Sequence, residues 1–318
     1  MVDDLAANAR LLERVLGAEG HSVLTASDGL EGVRLATAEL PDLVLMDVRM
    51  PRLDGIEACR RLKQAPATRL LPIVLMTGFS EPEDRLRAIE AGADDFLAKP
   101  VDQAELKARV RSLVRLKRYT DDLESAESVI LSLALTIEAR DPHTDGHCQR
   151  LATYAQALGG TLGLHDEDLI ALRLGGFLHD VGKIAVPDAI LLKPGPLTAE
   201  EYTVIKQHTI VGDRLCGTLR SLHRVRPIVR HHHELLDGSG YPDGLKGDDI
   251  PLLAQIIGVV DVYDAITTTR PYKAEMPAEA AYEFLAEDVA RGRRRADLVE
   301  ALIALGQSGS LTRIESLT

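Results

Sequence analysis

The stretch LVLMDVRMPRLDG at residues 43–55 indicates how the first third of the chain folds. Its aliphatic run at 43–46 is predicted to form a short buried strand that ends at Asp47. Similar runs of β-branched or aliphatic residues occur on both sides of it, at 23–26, 73–76 and 95–98.

Helices are predicted between these runs, beginning near Leu5, Gly29, Gly55, Pro82 and Asp102. Strands that alternate with helices indicate a parallel sheet covered by helices on both faces. We therefore expect a doubly wound α/β domain with a five-stranded parallel sheet over residues 1–118. Functional residues in such sheets lie at the carboxyl ends of the strands.

Three of these strand ends carry polar residues that suit phosphoryl transfer, namely Asp47, Thr77 and Lys99. An aspartate can accept a phosphoryl group if a divalent cation neutralises the developing charge. Asp3 and Asp4 would hold the cation, and Lys99 and Thr77 would contact the phosphoryl oxygens. The alternative is a set of surface carboxylates and a solvated lysine, but the order and strand context of the five residues favour a site.

The segment resembles the receiver domain of bacterial response regulators, which is flavodoxin-like. The matching pieces are VDD at 2–4, LVLMDVRMPRLDG at 43–55, LMTG at 75–78 and AKP at 98–100. The resemblance implies that Asp47 is the phosphoacceptor, that Phe96 is the aromatic switch position, that Mg²⁺ is the cation, and that a sensor histidine kinase is a partner.

The first strand departs from the receiver pattern. Only Met1 and Val2 precede Asp3, whereas receiver domains open with a full buried strand. We expect this strand to be truncated, which leaves the cation site at the chain terminus. Either the true translation start lies upstream or this receiver is impaired.

Residues 102–139 contain no Pro or Gly and are predicted to be helical, with a connector at 119–139. Apolar residues recur in a seven-residue pattern at Leu116, Leu123, Ile130 and Ile137, with Leu113 and Ala134 in companion positions. Such a repeat favours a helix that pairs with a partner, here in a homodimer. The alternative is a helix that packs along its own domain.

The segment 140–318 has helical patterns without strands, so we expect an all-α domain. Its helices are predicted at 144–160, 166–178, 198–216, 222–235, 251–268 and 277–289. The loop DGSGYPDGLKGD at 237–248 is rich in Gly, Pro and Asp and is predicted to be ordered.

Histidines and aspartates are spread through this domain in a pattern that suits a metal centre. Imidazole and carboxylate ligands bind divalent Mn, Fe, Ni or Zn. Two such ions about 3.5–4 Å apart can activate water and stabilise the leaving oxygen of a phosphoryl displacement. Asp180, next to His179, is the natural bridge between them. Asp180 and Asp261 lie in apolar helices and need a cation or a partner.

The motifs HDVGKIAVPD at 179–188 and HHELLDGSGYPDGLKG at 232–247 resemble the HD-GYP family of cyclic di-GMP phosphodiesterases. The resemblance covers residues 128–273 and implies a metal-dependent phosphohydrolase. Its implied ligands for one metal are His147, His179, Asp180 and Asp261. Its implied ligands for the other are His208, His232 and His233, with Asp180 bridging.

The resemblance also implies residues that act on the substrate. Asp180 and Lys183 would be catalytic, with Lys183 holding the scissile phosphate. The remaining substrate contacts would be Arg270, Lys273, Tyr241 and Asp264. Some members of the family carry a glutamate four residues before the first histidine ligand and bind a third metal. His143 occupies that position here, so we expect two metals.

Composition excludes several classes of protein. The formal net charge of −12 argues against binding of nucleic acid polymers, which relies on Lys and Arg. The three cysteines lie far apart, which argues against a disulfide framework and a thiolate zinc site. No apolar run approaches the roughly 20 residues of a membrane-spanning helix. The amino terminus is not typical of a signal peptide, so we expect a cytoplasmic protein.

The leading hypothesis is a two-component response regulator that hydrolyses cyclic di-GMP to pGpG, and further to GMP in some cases, under control of receiver phosphorylation. A second hypothesis is a catalytically silent module that binds a cyclic dinucleotide or docks a partner. A third is a phosphohydrolase of ordinary nucleotides. The complete set of ligands favours catalysis, and the GYP and RPYK motifs argue against the third hypothesis.

Overall fold

A computed structural model describes residues 1–78, 82–140, 146–268 and 276–311, without the side chains of residues 82–85. The chain divides into two compact units, Met1–Ala126 and Glu127–Thr318. The division falls within the predicted connector at 119–139. None of the described helices is both long and apolar enough to cross a membrane.

The first unit contains a parallel sheet flanked by helices. Its strands, in spatial order, are β1 (Val44–Asp47), β2 (Ile73–Thr77) and β3 (Asp95–Ala98). Its helices are α1 (Ala6–Gly17), α2 (Gly29–Glu39), α3 (Gly55–Gln64), α4 (Pro82–Glu90) and the start of α5 (Gln103–Glu138). Val2 forms single parallel bridges to Met46 and to Ala26. The sheet order is therefore Ala26, Val2, β1, β2, β3, which is flavodoxin-like.

The first two predicted strands are reduced to these bridges. The Ala26 amide donates to the Met1 carbonyl (2.9 Å), and the Asp3 amide donates to the Ala26 carbonyl (3.1 Å). On its other side, the Val2 amide donates to the Leu45 carbonyl (2.8 Å). A ladder extends only as far as both strands supply hydrogen-bonding groups, so the short stretch before Asp3 limits the pairing of residues 23–26.

Alternate strand residues pack on opposite faces of the sheet. Met46 and Leu75 belong to a core with α3, whereas Leu45 and Met76 pack with α1 and α5. Both faces are thus covered, which confirms the predicted doubly wound fold.

The second unit is helical throughout its described part, as predicted. It contains the end of α5, then α6 (His147–Thr161), α7 (Asp166–Leu178), α8 (Asp188–Leu191), α9 (Ala199–Cys216), α10 (Arg226–His231), α11 (Leu252–Thr267), α12 (Ala278–Ala290) and α13 (Ala296–Gln307). Its main core joins α6, α7, α11, α12 and α13. Helix α10 is shorter than the predicted 222–235, because Pro227 lies in its first turn and the chain leaves the helix after His231.

The three cysteines are buried and form no disulfide. Cys59 lies on α3 of the first unit, and Cys148 and Cys216 lie on α6 and α9 of the second.

Candidate active site

Three predicted ligands meet where α6 begins and α7 ends. His147 is the first residue of α6, His179 caps the C-terminus of α7, and Asp180 follows it. One ligand atom from each lies within 4.8 Å of the others. The Nδ1 atom of His179 donates to the carbonyl of Gly176 (2.9 Å), which leaves Nε2 as the ligand atom. We call these three residues the first ligand group.

A second ligand group consists of Asp180, His208, His232 and His233, again with ligand atoms within 4.8 Å of one another. His208 lies in α9, and the other two histidines follow α10. The Nδ1 atoms of His208 and His232 donate to carbonyls of their own helices, at 2.7 and 3.0 Å. These bonds direct the Nε2 atoms of both rings to the site.

Asp180 belongs to both groups. Its Oδ1 atom lies 3.1 Å from Nε2 of His208, and its Oδ2 atom lies 3.3 Å from Nε2 of His179. One carboxylate therefore faces both groups with different oxygens, which is the arrangement of a bridging ligand.

Several polar atoms at this point are buried without a hydrogen-bond partner. Within the described residues they include Asp180 Oδ1, His208 Nε2 and His232 Nε2. Buried polar atoms are rarely left unsatisfied, because their desolvation is costly. A donor set of imidazoles and carboxylates with unsatisfied atoms fits divalent metal ions.

The pKa values of His232, His233 and Asp180 suit metal binding. Burial lowers the pKa of His179, but the neighbouring Asp180 outweighs this effect and raises it. Burial and the neighbouring His233 lower the pKa of His232 well below its ordinary value, and burial together with His208 lowers that of His233 to about 3. Burial opposes ionisation of Asp180, but Lys183 and His179 hold its pKa well below the ordinary value. Neutral imidazoles and an ionised carboxylate are the ligand forms.

Glycine allows the two groups to approach. A Cβ on Gly182 would lie 1.9 Å from the carbonyl oxygen of His208 and 2.6 Å from the amide of Gly212. The 3-10 turn Val181–Ala185 therefore packs directly on the backbone of α9, which brings Asp180 to His208.

Asp264 differs from its predicted role as a substrate contact. It is 1% exposed, and its Oδ2 atom accepts from Nδ1 of His147 (2.7 Å), while its Oδ1 atom accepts from Nε of Arg150 (2.6 Å). Both oxygens are engaged behind the ligand, so the residue orients His147 instead of facing a substrate. In the sequence, Asp264 stands out by its position one helical turn after Asp261. Its contact with His147, 117 residues away along the chain, is visible only in the structure.

Asp261 and Lys183 lie beside the first ligand group. Oδ1 of Asp261 is 3.5 Å from Nε2 of His147, and the side chain is 19% exposed. Nζ of Lys183 is 2.6 Å from Oδ2 of Asp180. Lys183 thus places a positive charge at the bridging carboxylate.

The loop after His233 is held by Glu234, which sequence reasoning missed. Its buried carboxylate accepts from the backbone amides of Asp243 (2.7 Å), Gly244 (3.1 Å) and Leu245 (3.1 Å).

Two residues of the GYP motif contact the second ligand group and its neighbours. A Cβ on Gly240 would lie 2.4 Å from Cα of Glu234, so only glycine permits this close approach. The ring of Tyr241 lies 4.8 Å from that of His233, next to the second ligand group.

Three predicted positions lie outside the described residues. They are His143, Arg270 and Lys273. Their predicted roles stay predictions.

The receiver site gathers the residues predicted for it. Ligand oxygens of Asp3, Asp4 and Asp47 lie within 4.8 Å of one another. Nζ of Lys99 is 2.6 Å from Oδ2 of Asp47 and 3.1 Å from Oδ2 of Asp3. Burial lowers the pKa of Lys99, but hydrogen bonds to both aspartates outweigh it and raise the pKa. Thr77 ends β2 and is buried.

Two family models match the chain in agreement with this geometry. The response regulator receiver domain matches residues 1–111, and the HD domain matches residues 132–294. The chain is a response regulator of the HD domain family. Its HD domain carries both ligand groups, and its receiver domain carries the phosphoacceptor candidate Asp47.

Proteins similar to this chain include phosphodiesterases of cyclic dinucleotides. The cyclic di-GMP phosphodiesterase response regulator RpfG of Xanthomonas campestris pv. campestris is 38% identical over 308 residues, which are 90% of this chain and 82% of that protein. A cyclic di-GMP phosphodiesterase of Thermotoga maritima is 32% identical, over 95% of this chain and 88% of that protein. A 3'3'-cGAMP-specific phosphodiesterase of Vibrio cholerae is 36% identical, over 51% of this chain and 35% of that protein. The response regulator is thus homologous to cyclic di-GMP phosphodiesterases.

Proposed function

We propose that this response regulator hydrolyses cyclic di-GMP to the linear dinucleotide pGpG, and further to GMP in a second step. The observation that carries the proposal is Asp180, whose two carboxylate oxygens face two separate groups of histidines. A shared carboxylate between two ligand groups suits two divalent ions, such as Fe, Mn or Ni.

The chain's own residues have distinct parts in this reaction. His147, His179, Asp180 and Asp261 would hold one ion, and Asp180, His208, His232 and His233 the other. Bound there, two ions supply a water of lowered pKa and neutralise charge on the phosphodiester. Lys183, 2.6 Å from Asp180, would hold the scissile phosphate. Arg270 and Lys273 would hold the second phosphate, and Tyr241 would line the substrate site beside His233.

Phosphorylation of Asp47 by a sensor histidine kinase would regulate this activity. The cluster of Asp3, Asp4 and Asp47 supports Mg²⁺ binding there, since hard cations prefer carboxylate oxygens. Lys99, already at Asp47, would neutralise the phosphoryl group.

A homodimer through α5 is supported by its exposed apolar residues. Leu116 and Leu123 of the seven-residue pattern are 59% and 70% exposed, although Ile130 and Ala134 pack in the core of the HD domain. The second half of the seven-residue pattern thus packs along its own domain. The first half is exposed and available to pair with a second copy of the chain.

The test is turnover of cyclic di-GMP by the full chain loaded with Mn²⁺ or Fe²⁺, with products separated by chromatography. We expect linear dinucleotide from the native protein and none from Asp180→Ala. Hydrolysis of 3'3'-cGAMP but not of cyclic di-GMP would show that the proposed substrate is wrong. Stoichiometric metal and tight cyclic di-GMP binding without turnover would replace the proposal with a silent binding module.

A further inference from the structure

Glu138 at the end of α5 and Arg140 just after it contact the segments that carry the first ligand group. These segments are the start of α6 and the turn after Asp180. Oε1 of Glu138, the last residue of α5, accepts from the backbone amide of Cys148 (3.0 Å). Cys148 follows His147 in the first turn of α6, and the N-cap residue Gly146 has no side chain to accept from these amides. A carboxylate at this position satisfies an unpaired amide and interacts favourably with the helix dipole.

Arg140 contacts the turn that follows Asp180. Its guanidinium donates to the carbonyls of Lys183 (3.4 Å), Ile184 (3.3 Å) and Val186 (3.3 Å) and to the carboxylate of Asp188 (2.6 Å). A planar guanidinium with several donors fixes the relative positions of the groups that it joins. Arg140 therefore holds the turn between Asp180 and α8.

Glu138 contacts only the first ligand group, whereas the turn held by Arg140 also packs on α9 of the second. His208 and His232 of the second group are oriented by carbonyls of their own helices. Only Asp180 is common to both groups. The two groups thus differ in what holds them in place.

We propose that Glu138 and Arg140 are positioning residues for the metal ligands. Glu138 sets the affinity of the first ligand group alone, whereas Arg140 acts through the turn of the shared Asp180 and sets the affinity of both groups. The count of two equivalents rests on the proposed function, but the test does not require turnover. Groups that hydrogen-bond a metal ligand directly contribute about 10- to 100-fold to metal affinity. Since Glu138 and Arg140 act through the backbone next to the ligands, we expect a loss of about tenfold, in one equivalent for Glu138 and in both for Arg140.

The experiment is a titration of the metal-free full chain with Mn²⁺, followed by the electron paramagnetic resonance signal of the unbound ion. Every protein also carries Asp4→Asn and Asp47→Asn, so that the receiver cluster adds no third equivalent. The variants are Glu138→Ala, Glu138→Gln and Arg140→Met. In Glu138→Gln the amide oxygen can still accept from Cys148, so we expect affinity near that of the native protein. The matched control is Glu127→Ala, because Glu127 of the same helix pairs with Arg173 and is not in the first ligand group.

The expected result is one weakened equivalent in Glu138→Ala and two weakened equivalents in Arg140→Met, with both intact in the control. Two unchanged equivalents in Glu138→Ala and Arg140→Met would overturn the proposal. Equal weakening of both equivalents in Glu138→Ala, or the same loss in Glu127→Ala, would also overturn it. Two ions bound in the native protein without hydrolysis would refute the proposed function and leave this proposal standing.

Discussion

Replacement of Asp264 by asparagine tests whether His147 is oriented from behind. The carboxylate accepts from His147 at 2.7 Å and from Arg150 at 2.6 and 3.1 Å, and it is 1% exposed. An asparagine of the same shape has one acceptor oxygen, so its amide nitrogen must face either the imidazole or the guanidinium. Arg150 loses the negative charge of this carboxylate in either orientation, and the His147 ring also loses its fixed tautomer if the amide nitrogen faces it.

The expected magnitude follows from these contacts. Loss of such a partner weakens metal affinity about 10- to 100-fold, which is about 1.4–2.8 kcal/mol. We expect this loss in one of the two Mn²⁺ equivalents of the HD domain, in a calorimetric titration of proteins that also carry Asp4→Asn and Asp47→Asn. Asp168→Asn, which alters an exposed pair with Arg224, is the control. An Asp264→Asn protein with both affinities within twofold of the native values would refute the reasoning.

The same pair predicts a pH dependence of stability. Burial raises the pKa of Asp264, but hydrogen bonds from His147 and Arg150 outweigh it and bring the pKa below the ordinary 3.8. A depressed pKa contributes stability above 3.8 that is lost as the pH falls through the folded-state value. The free energy of unfolding of the metal-free native protein should therefore exceed that of Asp264→Asn at neutral pH. The difference should shrink below about pH 4, as measured by urea unfolding; a difference that grows there would contradict it.

Other predictions concern the remaining polar contacts. Lys99→Met should slow phosphorylation of Asp47 by acetyl phosphate about 10²-fold, measured on phosphate-affinity gels, since a positioned positive charge at the phosphoryl group is lost; an unchanged rate would contradict this role. Glu234→Ala should lower the free energy of unfolding by about 1–3 kcal/mol in urea, because loop amides lose their buried acceptor. Glu234→Ala should also make the loop more sensitive to proteolysis, and a cleavage rate equal to that of the native protein would contradict this role of Glu234. In the HD domain, the buried Asp288 accepts from Nε of Arg294 (3.3 Å). Asp288→Asn should cost about 3–5 kcal/mol in the same assay, because it leaves Arg294 beside a neutral partner; a change below about 1 kcal/mol would count against a stabilising ion pair.

The sequence predicted the fold where a local pattern was sufficient. The runs at 43–46, 73–76 and 95–98 became strands because each has neighbours of similar length. The run at 23–26 is also largely aliphatic but forms only a bridge at Ala26, since Val2 is its partner. A strand's extent depends on its neighbour, which the pattern of a single segment does not contain.

The candidate site shows the same division. Motif residues such as His179 and Asp180 were named from the sequence and meet in the structure, because adjacent positions and family spacing identify them. Glu138, Glu234 and Asp264 were not assigned as positioning residues. Their function depends on a backbone amide or an imidazole that only the folded chain brings near, and a carboxylate on a helix is otherwise ordinary.

The buried cysteines provide an intrinsic chemical probe of local opening. Burial raises the pKa of Cys59 and of Cys216 to about 11 and raises that of Cys148 as well, so all three are protonated thiols at neutral pH. Since the thiolate is the nucleophile, alkylating reagents can react only after the surrounding helices separate. The modification rate of Cys59 would thus time the opening of the receiver domain, and that of the other two the opening of the HD domain. Mass spectrometry of the alkylated native protein would follow the opening of both domains in one sample.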